Sequence, residues 1–254
     1  MVYSKRFERK YIIDFDTYSK IVKEIKPFMD FDDHGNSEGK YVVSSVYYDS
    51  PDLRFYREKI DGEKNRVKIR IRKYRELFSE EESKEVHLEL KKRNNINVLK
   101  KKARLTEKEA KQLLETSNLK ESVLKYQDKD GKLALAESSY LKVLYDLNPV
   151  VLVSYMRQAF LSTFGSRIRI TFDFNLKYSD CNFKYDSLIG KNYILPPNLV
   201  IMEIKYTSLL PLWVSNLVQK YNLFLSTYSK YCSAMELILD KREAFINLSQ
   251  RRKS

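Results

Sequence analysis

The stretch NRVKIRIRKYR (65–75) sets an aliphatic residue at nearly every second position with a cation between. A strand sends successive side chains to opposite faces, so Val67, Ile69 and Ile71 share one side while Arg66, Lys68, Arg70 and Arg72 share the other. The apolar side must pack against something. The side with four positive charges must face either water or an anion.

The same alternation recurs along the chain. Arg6, Glu8 and Lys10 share a face in RFERKY. His87, Glu89, Lys91 and Arg93 lie opposite Val86, Leu88 and Leu90. Lys102 and Arg104 share a face in KKARL, as do Tyr155 and Arg157 in SYMRQAF. Arg167, Arg169, Thr171 and Asp173 alternate with Ile168, Ile170 and Phe172, and Glu203 and Lys205 share a face in MEIKY. With KYVVSSVYYDS (40–50), rich in β-branched and aromatic residues, this gives eight strands: 5–14, 40–50, 65–75, 84–93, 96–105, 150–160, 166–178 and 198–206. The spacing around Asn94-Asn95 predicts a hairpin.

Helices fill the intervals. Residues 14–28 have Asp14 or Asp16 as N-cap and Ile21, Val22 and Ile25 as an apolar face. A short helix over 51–60 begins at Pro51, and 106–115 opens with the capping box Thr106/Glu109. Residues 117–148 read as a peripheral helical insertion of two short helices around Asp130-Gly131, and 211–248 as C-terminal helices broken near Ser226. Trp213, Leu217 and Tyr221 share helical spacing and read as core. The expected fold is α+β: one domain over 1–254, an eight-stranded antiparallel β-barrel with helices packed outside and a helical C-terminus.

Composition narrows the chemistry. Lys and Arg exceed Asp and Glu by 47 to 34, and a net charge of +13 favours polyanionic partners. Cys181 and Cys232 are far apart and read as reduced thiols, and the two histidines, His34 and His87, argue against a His-rich zinc site. No glycine falls in G-x-x-x-x-G-K-S/T or G-x-G-x-x-G, so a bound nucleotide would be held by side chains. No run of about 18 apolar residues and no signal-peptide core occur, so a cytoplasmic protein is expected.

Helices outside a barrel need apolar partners, which places the aliphatic faces outward and the charged faces in the interior. Cations crowded in low dielectric repel one another, so such an interior calls for a ligand of matching charge density. Carboxylates beside the cations would repel the phosphates of a nucleic acid. They suit metal-bound polyphosphate instead, where Arg and Lys take phosphate oxygens and Glu takes Mg²⁺ or Mn²⁺. Glu8, Glu89 and Glu203 each stand between cations on their own strand and meet that demand.

FERKY, the R-x-R of KIRIRKY, LELKKR, KKARL, SYMRQAF, RIRITFD, MEIKY and SKY occur in that order between about Lys5 and Tyr231. In this ordered set the chain resembles the VTC domain, the polyphosphate polymerase branch of the CYTH or triphosphate-tunnel superfamily. The resemblance implies a tunnel in which the γ-phosphoryl group of ATP passes to a growing polyphosphate chain with a divalent metal. It implies that Lys10, Arg70, Arg72, Lys91, Lys102, Arg157 and Arg169 grip phosphate oxygens and that Tyr155 positions them. It further implies that Glu203 holds the metal and that Ser229 and Lys230 contact phosphate. Face alternation adds Arg104 and Lys205 on the phosphate side, and Glu8 and Glu89 on the metal side. Arg6 stands where the wider superfamily has the first Glu of E-x-E-x-K, as in the polymerase branch. The SPX domain and membrane helices of the eukaryotic polymerases have no counterpart in these residues, which suggests a stand-alone prokaryotic protein.

The expected reaction is in-line phosphoryl transfer in which the terminal phosphate of the acceptor needs no strong base. The expected ligands are ATP, polyphosphate and pyrophosphate, with no nucleic acid. Alternatives within the same tunnel are a tripolyphosphatase or nucleoside triphosphatase, and outside enzymes a polyphosphate- or nucleic-acid-binding module. A membrane-protein partner and the oligomeric state are not readable from these residues.

Overall fold

The computed structural model describes residues 7–32, 35–76, 85–95, 97–116, 121–163, 168–180, 189–207 and 209–251, and in them all eight expected strands form. The first half runs β1 (Phe7–Asp14), α1 (Phe15–Ile25), β2 (Met29–Phe31), β3 (Lys40–Asp49), α2 (Arg54–Ile60), β4 (Asn65–Glu76), β5 (Glu85–Asn94) and β6 (Asn97–Thr106). Then follow α3 (Glu107–Thr116), α4 (Glu121–Lys125), α5 (Lys129–Tyr145), β7 (Asn148–Ser162), β8 (Arg169–Asp180), β9 (Asn192–Tyr193), β10 (Leu199–Tyr206), α6 (Leu212–Lys220) and α7 (Lys230–Arg251). The strands form one antiparallel sheet in the order β1-β10-β8-β7-β3-β4-β5-β6, with β2 added to β7 and β9 to β8. The two short strands escaped the sequence reading because segments of two and three residues carry no alternation.

Hydrogen bonding does not close the sheet into the expected barrel. Among the described residues, β1 runs along β10 alone and β6 along β5 alone. The free edge of β1 is met by the segment after α6, where Tyr11 bridges Leu225 and the Ser226 N–H donates to the Lys10 carbonyl at 2.8 Å. Backbone groups taken this way are not open to β6. The sheet still curls: at the start of α7, Ser229 takes Lys68 of β4 at 2.8 Å and Lys230 takes Glu203 of β10 at 3.1 Å, so strands from both halves of the order meet at one place.

The aliphatic faces lie under the helices, as the amphipathic pattern requires. Ile69, Ile71, Val86, Leu88, Leu90 and Leu105 pack with Phe55 of α2, Ala110 and Leu113 of α3, and Ala134, Leu135 and Leu141 of α5. Tyr11, Ile13, Ile170, Phe172, Met202 and Ile204 pack with Tyr18, Ile21 and Ile25 of α1 and Val214 and Leu217 of α6. Each such side chain contributes about 1.5–3 kcal/mol by leaving water. Of the trio expected in the core, Leu217 is buried, while Trp213, stacked on Phe28 at 4.7 Å between ring centroids, and Tyr221 are half-buried against the second layer. A third layer lies on the concave side, where Tyr231, Ala234, Met235 and Ile238 of α7 meet Tyr47, Val151, Val153 and Ile201.

Local chemistry explains most helix starts and two departures from expectation. Asp14 accepts the Thr17 N–H and caps α1, and Thr106 and Glu109 form the reciprocal box ahead of α3. The helix expected from Pro51 begins only at Arg54, because Leu53 sits in the left-handed region at φ 58° and Asp49 accepts the N–H groups of Phe55 and Tyr56. Two helices form within 117–148 as expected, α4 and the 17-residue α5, but they part ahead of Asp128 and not at Asp130-Gly131, since Asp128 caps α5 by accepting the Gly131 N–H at 2.7 Å. That helix is not peripheral either, because it covers the outer face of β5 and β6. Cys232 is a free, buried thiol, while Cys181 and His34 lie outside the described residues.

Candidate functional site

Directly opposed residues of an antiparallel pair share a face. Glu203 is opposed by Lys10 and Thr171, Lys205 by Glu8 and Arg169, and Arg157 by Asp173 and Tyr41. On the other half of the sheet, Glu89 is opposed by Arg70 and Lys102, His87 by Arg72 and Arg104, and Lys91 by Lys68 and Lys100. Strand pairing alone therefore brings the candidate residues of seven strands to the concave face.

Two charge clusters form there. In the first, Arg157 holds Asp173 with two bonds, Nε to Oδ1 at 2.6 Å and Nη2 to Oδ2 at 2.8 Å. Lys230, at the start of α7, reaches Asp173 at 2.6 Å and Glu203 at 3.1 Å. Glu203 is also met by Lys205 at 3.0 Å, by Lys10 at 3.6 Å and by Arg157 at 3.8 Å. Lys10 also meets Glu8 at 3.3 Å. The ring of Tyr155 faces Lys230 at 4.9 Å and Arg157 at 5.2 Å, a cation–π floor beneath both.

The second cluster centres on Glu89. Arg70 donates Nε and Nη2 to Oε2 at 2.8 and 2.6 Å, Lys100 donates to Oε1 at 2.8 Å, and Arg72 lies 3.6 Å away. Arg70 also donates to the Tyr47 hydroxyl at 2.9 Å. Between the clusters Lys68 donates to the Ser229 hydroxyl at 2.8 Å, one residue before Lys230. The remaining candidates lie further out. Arg169 binds Asp32 and the Tyr41 hydroxyl, and Lys102 and Arg104 are exposed on the edge strand β6.

The ionisation pattern follows from burial and charge. Burial alone would raise the carboxyls of Glu203, Asp173 and Glu89, but the surrounding cations outweigh it and hold all three below the usual range. Burial pushes Lys68 and Lys205 down to about 8, and lowers Lys91 and Lys100. Lys230 is raised, because Asp173 and Glu203 overcome its burial. Burial and Lys102 bring His87 down to about 4, so it is neutral at pH 7. Among the described residues, leaving aside those further out, nine cations (Lys10, Lys68, Arg70, Arg72, Lys91, Lys100, Arg157, Lys205, Lys230) stand on this face against four carboxylates (Glu8, Glu89, Asp173, Glu203).

The donors fit a hard divalent cation only in part. Among the described residues no group of three or more His, Cys, Asp or Glu is placed to hold a metal. Glu8 and Glu203 flank Lys10 and feel each other's charge, and one or two carboxylates with substrate oxygens suffice for Mg²⁺. Glu89 is engaged by Arg70, Arg72 and Lys100 and does not join that pair.

Lys68, Lys100, Asp173 and Tyr47 were missed as site residues. Lys68 and Asp173 share the parity of Arg70 and Arg169, and Lys100 that of Lys102, so alternation could have found them. The approach of α7 from within the curl, which brings Lys230 to Asp173, leaves no trace in local pattern.

Among solved structures the chain is similar to a Bacillus halodurans protein proposed to be an adenylate cyclase, at 12% identity and a TM-score of 0.49, covering 89% of this chain and 95% of that one. It is also similar to the PH1819 protein of Pyrococcus horikoshii, at 13% identity and a TM-score of 0.45, covering 94% and 99%. No curated protein matches by sequence. The VTC domain matches residues 5–239, which takes in every strand and both clusters. The chain belongs to the VTC domain family.

Proposed function

We propose that this chain is a polyphosphate polymerase that moves the γ-phosphoryl group of ATP onto a polyphosphate chain held in a tunnel formed by the curled sheet. The observation that carries the reading is the excess of cations over carboxylates on one concave face: Arg72, Arg157 and Lys230 are buried beside Glu89, Asp173 and Glu203, and the surplus of Lys10, Lys68, Arg70, Lys91, Lys100 and Lys205 lines its half-buried and exposed remainder. Cations massed in low dielectric are stable only beside matching anions, and linear phosphates supply one charge per unit along their length. Membership of the VTC family supports the same choice.

Arg70, Arg72 and Arg157 suit bidentate contact with non-bridging oxygens, and Lys10, Lys91, Lys205 and Lys230 suit point-charge contact. Arg169, Lys102 and Arg104, set further out, would guide the chain, with Tyr155 and Ser229 fixing the cations beside them. Glu203 and Glu8 would hold Mg²⁺ or Mn²⁺, which screens charge on the transferring phosphate when bound. The acceptor phosphate is already an anion, so position and charge compensation are what the protein must provide.

The test is incubation with ATP and Mn²⁺ and separation of the products by length. Long polymer is the expected result. Free phosphate alone would mean a triphosphatase in the same tunnel. Binding of polyphosphate or nucleic acid with no ATP turnover would mean a binding module.

A further inference from the structure

Helix α5 (Lys129–Tyr145) is apolar on two opposite sides. Ala134, Leu135, Ser138 and Leu141 are buried against the sheet. On the other side Leu133 (39% exposed), Ala136, Tyr140 (64%), Val143 (72%) and Leu144 (49%) form a stripe in water. Their spacing of three, four, three and one keeps them within about 100° of arc, the width of a face that packs on another helix. A helix apolar all round is normally buried all round.

We infer that this stripe is the contact of a two-fold dimer in which α5 lies antiparallel to α5 of a second copy. Three features select that occupant. The stripe is self-complementary: an antiparallel copy centred near Ser138 sets Leu133 against Val143 and Ala136 against Tyr140, each contact occurring twice, as two-fold symmetry demands. Its flank carries Lys132, Ser139 and Asp146, which brings Lys132 within one residue of facing Asp146 of the second copy at both ends, where Asp146 also meets Lys142 of its own helix at 3.3 Å. Finally, Glu121 to Asp146 holds five acidic and four basic residues in a chain of net charge +13, so two copies meet here without the repulsion of its basic surfaces. At 1.5 Å per residue the helix offers a contact about 25 Å long, which suits a weak dimer seen at tens of micromolar and above.

Sedimentation equilibrium of the full chain tests this. The wild type is expected to pass from monomer to dimer with concentration. Tyr140→Ser, Lys132→Asp and Asp146→Lys should each weaken association by about tenfold or more, and the double swap Lys132→Asp/Asp146→Lys should restore it. All these side chains are exposed. Asp146 ends the helix in the left-handed region at φ 48°, so the melting temperature of each variant is measured alongside. A wild type that stays monomeric at every concentration overturns the inference, and so does a dimer that ignores Tyr140→Ser. Single swaps that weaken the dimer without rescue by the double swap overturn the antiparallel register.

Discussion

Asp173 is fully buried and accepts both Arg157 and Lys230, while Glu203 stands among four cations. Removing one partner from such a group leaves charge uncompensated in low dielectric, which costs about 3–5 kcal/mol. Asp173→Ala should lose that much in denaturant unfolding, whereas breaking an exposed pair such as Lys20–Asp16 should leave the unfolding midpoint almost unchanged. For the transfer itself, Arg70→Ala and Glu203→Ala should each slow chain elongation about a hundredfold, and wild-type rates in both would refute the assigned roles. Lys68 gives a pH signature. Its pKa, brought down from 10.5 to about 8 by burial, rises again beside a bound anion, so binding draws a proton onto it. As Lys68 and Lys205, both brought down to about 8, lose their protons, affinity for tripolyphosphate should fall above about pH 8. Lys68→Gln should take up fewer protons on binding, as read by calorimetry in buffers of different ionisation enthalpy. Most of these residues were legible because alternation assigns a face one residue at a time. Asp173 was seen on the right face but not as a site residue, since its partner Lys230 arrives from far along the chain.

At the scale of elements, the alternating strands were the readable part. Leu88, Leu90 and Ile71 are spaced for an outward apolar face and find α3 and α5 on it. Leu88→Ala opens a cavity under those helices and should cost about 2–5 kcal/mol in denaturant unfolding, without changing the charged face on the other side of β5. Helix boundaries were less readable where a side chain from another element decides them. The carboxylate of Asp49, at the end of β3, sets where α2 begins, and Leu53 must turn left-handed first. In α5 the cap at Asp128 overrode the turn tendency of Asp130-Gly131. The edge of β1 is the clearest case. Which segment lies along it depends on Leu225 and Ser226, about two hundred residues away, and no local pattern reports that contact.

Over the whole molecule, one sheet does two jobs because its faces differ. Its outer face is covered by helices, and its concave face gathers charge from both halves of the strand order. Among the described residues no helix is long and apolar enough to cross a membrane. That concave face carries nine described cations against four carboxylates, and the gathering rests on the curl that brings β4 and β10 together at the start of α7. Calorimetric titration of tripolyphosphate into the wild type and into Lys91→Ala, at pH 7 and fixed salt, probes that claim most directly. The account predicts saturable binding to one site, weakened about tenfold or more by the loss of Lys91. Equal affinity in the two proteins, or no saturable heat in the wild type, would contradict it.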